Sequence, residues 1–291
     1  MNYKEHPYYR EMNLDSFFQY GWELYRKNFA WFFMYSFLAM IILQTINSYL
    51  LGPYIEDVYT LAENPENLGN VLGNISLMLA SSVIIYTIIG LFLSYLVLNL
   101  SKDKETGHLS LFSESMSKHF FSLLGATILS GIILIFGTFL GVFALVIGAL
   151  IAAFYFGTVF FPLTPIVILE KSNPIEAISR SFKMVHSDFW KTLGFVVVLI
   201  IIYIVVSLVL GALTMIPFAT DFMDLMSNPE SLEASEITGT ILNPLQLILS
   251  SISNALLLPF FPIFGVLLYM NLKHKEDQGI GKADLLEQIG R

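Results

Sequence analysis

Five stretches of this chain carry no Asp, Glu, Lys, Arg or His: residues 28–55, 67–101, 120–169, 192–220 and 237–272. Each exceeds the roughly 20 apolar residues that a helix needs to cross a ~30 Å hydrocarbon layer. The third is 50 residues long. As one helix it would reach ~75 Å at ~1.5 Å per residue, so it must fold back, and a break between Gly137 and Gly148 divides it. The reading is six spans, at 29–52, 74–99, 120–143, 146–168, 192–216 and 244–270. Charged residues make up 13% of the chain, against about a quarter in soluble domains. The expected fold class is therefore an all-α integral membrane protein, residues 1–291 forming a single membrane domain.

The cations sort by side. Lys4, Arg10, Arg26 and Lys27 precede the first span. Lys102, Lys104 and Lys118 lie between the second and third, and Lys171, Arg180, Lys183 and Lys191 between the fourth and fifth. Lys273, Lys275, Lys282 and Arg291 follow the sixth, which completes the 15 basic residues. The opposite loops hold acids instead: Glu56, Asp57, Glu63 and Glu66, then Asp221, Asp224, Glu230, Glu233 and Glu236. Cations mark the cytoplasmic side, so both termini are expected there. Trp22, Trp31 and Trp190 fall near the same span ends, as interfacial indoles do.

Apolar stripes precede the odd spans. Phe18, Trp22, Tyr25 and Phe29 are spaced i, i+4, i+7, i+11, and Ile178, Phe182, Val185 and Phe189 repeat that spacing. Each set falls on one helix face. Before the third span the same register gives Leu109, Ser113, Met116 and Phe120. Phe160-Phe161-Pro162 echoes Phe260-Phe261-Pro262, and Asn99-Leu100 echoes Asn271-Leu272. These echoes suggest three repeats, 14–104, 107–171 and 174–276. Each would comprise a cytoplasmic interfacial amphipathic helix followed by a helical hairpin of two spans. The stripes, with Trp190, are the candidate contacts for membrane lipid or for a membrane or cytoplasmic protein partner. Pro162, Pro165, Pro259 and Pro262 would kink the fourth and sixth spans and are the candidate hinges. Gly137-x-x-x-Gly141 and Ala153-x-x-x-Gly157 would let the third and fourth spans approach closely.

Little here points to chemistry. No ionisable residue lies inside the spans, where one would mark a proton or ion path. Gln44, Asn47, Asn99, Gln246 and Asn254 are expected to hydrogen-bond between helices. The five histidines show no metal-ligand spacing, the chain has no cysteine, and no phosphate loop or nucleophile elbow occurs. No catalytic residue, cofactor or metal site is expected, and a net charge of −8 disfavours a nucleic-acid partner.

One segment carries a family resemblance. It runs Ile168-Leu169-Glu170-Lys171-Ser172-Asn173-Pro174-Ile175-Glu176-Ala177-Ile178-Ser179-Arg180-Ser181-Phe182, followed by Asp188-Phe189-Trp190-Lys191-Thr192-Leu193-Gly194. Locally, Asn173 suits a helix cap, Pro174 a first turn and Glu176 the far half of a capping box. The pattern resembles a bacterial family of membrane proteins that includes YciC-type proteins and the membrane domain attached to some glycerophosphoryl diester phosphodiesterases. The resemblance implies a bacterial cytoplasmic membrane protein. It carries over no catalysis, because no phosphodiesterase domain stands in this sequence. The expected role is non-enzymatic, in membrane or envelope homeostasis through lipid or protein contacts. The alternative is a transporter or permease subunit for an apolar or neutral solute.

Overall fold

The computed structural model describes residues 3–61, 64–100, 107–143, 145–220 and 243–289. The acids at 63 and 221–236, together with Lys102, Lys104 and Arg291, lie outside the described residues. Among those described, the regular structure is helical: α1 (Leu14–Lys27), α2 (Phe29–Thr60), α3 (Leu68–Asn99), α4 (His108–Val142), α5 (Leu145–Phe160), α6 (Leu163–Glu170), α7 (Pro174–His186), α8 (Phe189–Met215), α9 (Pro244–Leu257) and α10 (Phe260–Ile289). Six segments are long and apolar enough to cross a membrane: Phe29–Val58, Pro65–Asn99, His108–Val142, Ile147–Glu170, Phe189–Phe218 and Pro244–Gly279. The 50-residue run does break between Gly137 and Gly148, where α4 ends at Val142 and α5 begins at Leu145.

Three details depart from expectation. The stretch before the third span is not a separate helix, since α4 runs unbroken from His108 to Val142. Asn28 ends α1 and Ser187 caps α7, whereas Lys118 to Phe121 offers no such stop. The fourth and sixth spans are each broken in two. Pro162 stands immediately before α6 and Pro165 is its third residue; Pro259 stands immediately before α10 and Pro262 is its third. The structural match is therefore Pro-x-x-Pro with Pro-x-x-Pro, three residues out of step with the paired Phe-Phe-Pro triplets. Proline lacks the N–H that an interior helical position donates, so the break follows the prolines and not the rings.

The contacts divide the chain into two compact units. One comprises residues 30–86 and 202–258. Its apolar cluster is Met40, Leu43 and Ala255, packed by Phe33, Phe37, Ile85 and Leu258. Here Asn47 meets Ser81, whose hydroxyl donates to its Oδ1 at 3.4 Å. Asn254 and, in the other unit, Asn99 instead donate to carbonyls of their own helices, which fits only part of the expected interhelical bonding.

The other unit comprises residues 1–29, 87–201 and 259–291. Its core is three helix segments buried on every side: 91–98 of α3, 165–168 of α6 and 262–272 of α10. A helix apolar all round must be covered all round or face lipid. Here α1, α4 and α7 supply the cover, α1 packing on α10 and α7 on α4, α5, α6 and α10. α4 also packs closely on α5. A side chain at Gly137 would strike the Phe156 ring, and one at Gly141 would strike the Gly148 backbone. Gly157 faces open space, so only the first of the two small-residue motifs serves close packing.

Candidate functional site

Helix α1 begins at Asn13, whose side chain accepts from the Ser16 amide at 2.8 Å while Ser16 Oγ accepts from the Asn13 amide. Helix α7 begins as its sequence suggests. Asn173 Oδ1 accepts from the Glu176 amide at 2.9 Å, Glu176 accepts in return, and Pro174 opens the first turn. The preceding Lys171 adopts a left-handed conformation (φ 50°, ψ 37°) that turns the chain out of α6. Gly125 of α4 leaves room for Pro174, whose ring would stand 2.8 Å from an added Cβ.

The two helices bury equivalent positions. In α1 these are Phe17, Gly21, Leu24 and Tyr25; in α7 they are Ala177, Ser181, Met184 and Val185. Both sets read i, i+4, i+7, i+8, with a small residue second. Gly21 lies against Phe264, and an added Cβ would stand 2.2 Å from that ring. Ser181 Oγ donates to the Val159 carbonyl. The sequence stripes lie partly beside these faces. Phe18 touches the Phe264 ring and Tyr25 the Phe260 ring; burial pushes the Tyr25 phenol up to about 12. Trp22 (55% exposed) and Phe29 look outward. In α7, Val185 is fully buried and Ile178 half-buried. Phe182 and Phe189 pack on Tyr155 of α5. The Tyr155 hydroxyl lies 3.1 Å from His186 Nε2. Trp190, 81% exposed, touches the neighbouring Phe189 ring.

A polar cluster that sequence spacing does not announce joins α6, α7, α8, α10 and the N-terminal segment. Arg180 Nε donates to Glu170 at 2.8 Å, and its two terminal nitrogens donate to both oxygens of Glu276. Such forked pairing is the strong form of this bond. Glu276 foremost, then Glu170, hold the Arg180 guanidinium protonated above its ordinary range despite burial. Glu170 also accepts from the Tyr269 hydroxyl at 3.1 Å. Lys273 reaches Glu276 at 2.8 Å and Asp277 at 3.4 Å. Lys275 pairs with Asp188, and Glu11 lies 3.5 Å from both Lys275 and Lys191. The N-terminal segment is tied down by Tyr9, which donates to Asp277 at 2.6 Å, and by the Met12 amide, which donates to Asn271 at 2.8 Å. A cavity of about 330 Å³ beside the cluster is lined by Lys183, Met184, Ser187, Asp188, Lys275 and Glu276. Partners in the cluster such as Tyr9 and Asp277 lie 268 positions apart in the chain, so local spacing carries no signal for them. Glu170 and Arg180 stand inside the family-like motif, yet nothing there points to Glu276.

Two of the four hinge candidates, Pro165 and Pro262, line a second crevice of about 250 Å³. Its remaining walls are Gly90, Ser94, Phe160, Phe161, Thr164, Phe261 and Gly265. No group of three or more His, Cys, Asp or Glu that could hold a metal occurs among the described residues.

The family model for the membrane domain of glycerophosphoryl diester phosphodiesterase matches residues 132–278, just over half the chain. No curated protein and no solved structure matches it.

Proposed function

The chain belongs to the family of the membrane domain of glycerophosphoryl diester phosphodiesterase, and from that premise we propose a non-enzymatic role in membrane or envelope homeostasis, exercised through lipid or protein contacts. The observation that carries this reading is the build of α1 and α7. Each buries one face on the same unit, and large aromatic side chains stand exposed beside charged residues, Trp22 on α1 itself and Trp190 at the start of α8, the helix that follows α7. Indole rings next to charges suit the boundary between hydrocarbon and water. The Arg180 cluster suits a fixed frame, because its charges are satisfied by one another. A family defined by a membrane domain fits a part that holds or organises other components at a bilayer.

The orientation belongs to the same proposal: the end bearing α1 and α7 is cytoplasmic, in a bacterial cytoplasmic membrane. A cysteine at Asn64 should then react with an impermeant thiol reagent outside intact cells, and cysteines at Ser110 and Ser187 should stay protected. For the role itself, photocrosslinkers at Phe182 and Trp190 should capture lipid or a cytoplasmic partner. Crosslinks found only from the Asn64 side would overturn the reading. So would solute uptake by the purified protein in vesicles that survives loss of both helices.

A further inference from the structure

We propose that the crevice between the two Pro-x-x-Pro breaks binds the glycerol-ester segment of a membrane phospholipid, with Ser94 donating to an ester carbonyl and one acyl chain lying against Phe160, Phe161 and Phe261. This rests on the lipid-contact reading above and gives it a specific site.

Depth is the first argument. Helix α1 runs antiparallel along α10: Met12 meets Asn271, Phe17 meets Phe264 and Tyr25 meets Phe260. The outer side of α1 exposes Asp15, Gln19, Glu23, Arg26 and Lys27. A row of charges reaching the level of Phe260 does not stand in hydrocarbon. The edge of the apolar layer on α10 therefore lies near Phe260, about 20 Å along the helix from Lys273 at ~1.5 Å per residue. The crevice, lined by Phe261, Pro262 and Gly265, sits at that edge, which is where phospholipid esters lie.

The lining is the second. Most of the walls are apolar, and no charged side chain contributes. Ser94 is 1% exposed, yet its hydroxyl has no hydrogen-bond partner. A buried unmet donor is costly and calls for an acceptor. Thr164 adds a second hydroxyl. Pro165 gives no N–H to the Phe161 carbonyl, and that oxygen stands 3.3 Å from where a Gly265 Cβ would be.

Size and polarity remove the other occupants. About 250 Å³ is too narrow for a second helix, whose diameter is ~10 Å or more. It would hold several waters at ~30 Å³ each, but every buried water needs two to four polar partners, and two hydroxyls and a carbonyl cannot serve them. With no carboxylate in the walls, a cation has no counter-charge. A neutral ester with a hydrocarbon tail matches all three features.

The test uses the full chain, reconstituted with equal amounts of diester and diether phosphatidylglycerol, extracted gently and weighed by native mass spectrometry. The wild type should retain the diester lipid about three- to tenfold over the diether, the worth of one hydrogen bond. Ser94→Ala should lose that preference. Gly90→Leu should lose retention, because Gly90 lines the crevice, a Cβ there meets nothing within 4 Å, and the larger side chain takes up the space of the acyl chain. Gly73→Leu, on the same helix and equally unobstructed, should behave as wild type. Equal retention of diester and diether by the wild type would overturn the proposal, as would an intact preference in Ser94→Ala or full retention by Gly90→Leu. If Gly90→Leu sheds no lipid while crosslinks from Trp190 still reach the bilayer, the crevice assignment fails and the broader reading stands. Lipid retained in the crevice with no crosslinks from Trp190 or Phe182 would do the opposite, upholding the crevice and overturning the role given to α1 and α7.

Discussion

The fifth and sixth spans are both long and apolar, yet the structure uses them in opposite ways. Only 17% of the most apolar stretch of Phe189–Phe218 is buried, against 78% for Pro244–Gly279. The exposed one is the more uniform, a run of Val, Ile and Leu over 196–213 broken only by Tyr203, Ser207, Gly211 and Ala212. The buried one carries Pro259, Pro262, Gly265, Tyr269 and Asn271. Away from water, whether in lipid or in a protein interior, every backbone and polar group must be satisfied from within the protein. A span with protein on all sides can hold a proline, a hydroxyl and an amide because neighbours answer them: Glu170 accepts from Tyr269, and Asn271 accepts from Met12. Hydrophobicity thus marks contact with lipid more than membership of the core.

The comparison breaks most sharply at the cluster that closes the buried end. Arg180→Ala leaves the carboxylates of Glu170 and Glu276 without their shared partner, in a site where the Arg180 side chain is only 18% exposed. Removal of one member of a buried pair costs ~3–5 kcal/mol, and thermal unfolding in detergent should show a loss toward the lower figure. Lys118→Ala, which breaks an exposed pair with Glu114, should cost less than ~1 kcal/mol. Equal losses would deny the cluster its structural weight.

Packing gives the next effect. Gly21→Leu drives a side chain into the Phe264 ring, and overpacking costs ~1–3 kcal/mol. Gly211→Ala in the exposed span meets nothing within 4 Å and should be neutral or stabilise by ~0.5–1 kcal/mol, since glycine is the poorer helix former. A Gly21→Leu variant as stable as the wild type would mean that α1 does not pack closely on α10.

The same contrast explains what can be read from the sequence. Six spans, the break in the long run and the Asn173 cap are local: charge-free length and side-chain spacing suffice. The stripes mark the right helices, but their register is one residue off the buried face. The stripes are drawn by large side chains offered to lipid or a partner, whereas α1 and α7 approach their neighbours through the small Gly21 and Ser181. The third stripe suffers the same way. The buried positions near the start of α4 are Leu111, Ser115 and His119, again with a small residue second, and not the set anchored on Leu109. We propose that the threefold repeat, if drawn from these faces, aligns Gly21, Ser115 and Ser181. The ion-pair cluster is illegible in the sequence because its members meet only after the chain has folded.

A cap is worth less than a packed glycine. Asn173→Ala removes the side-chain acceptor of the box that opens α7 while keeping the residue 173 amide that donates to Glu176, and should cost ~1 kcal/mol. The variant should also loosen the turn after Lys171, read as faster amide exchange over 172–177. Asn13→Ala should do the same for α1, and unchanged exchange in both would place the helix starts under tertiary control.

The smallest effect is a pH dependence confined to the buried end. His6 is the buried residue of the N-terminal segment's first turn, and burial lowers its pKa from the ordinary 6.5, with the Val97 carbonyl pulling the other way. The neutral ring accepts the Tyr8 amide at Nδ1, 3.3 Å away. When the segment lifts away, the imidazole regains its ordinary proton affinity, so the undocked form binds the proton more readily than the docked one. Its contribution to docking is therefore complete above about 6.5, declines as pH falls from there, and stops declining below the folded-state value. Glu11, in the same segment, is held below the ordinary carboxylate range by Lys275 and then Lys191, so it stays ionised through this window and adds no slope there. Residues 192–215 of the fifth span contain no group that titrates near neutrality and should stay silent. Hydrogen exchange over residues 3–13, corrected for the intrinsic pH dependence of the chemistry, should quicken on passing from about pH 7.5 to about pH 5.5, and His6→Gln should remove the change. Exchange in this segment that ignores pH in the wild type, or a slope that survives His6→Gln, would show that the docking does not depend on a neutral imidazole.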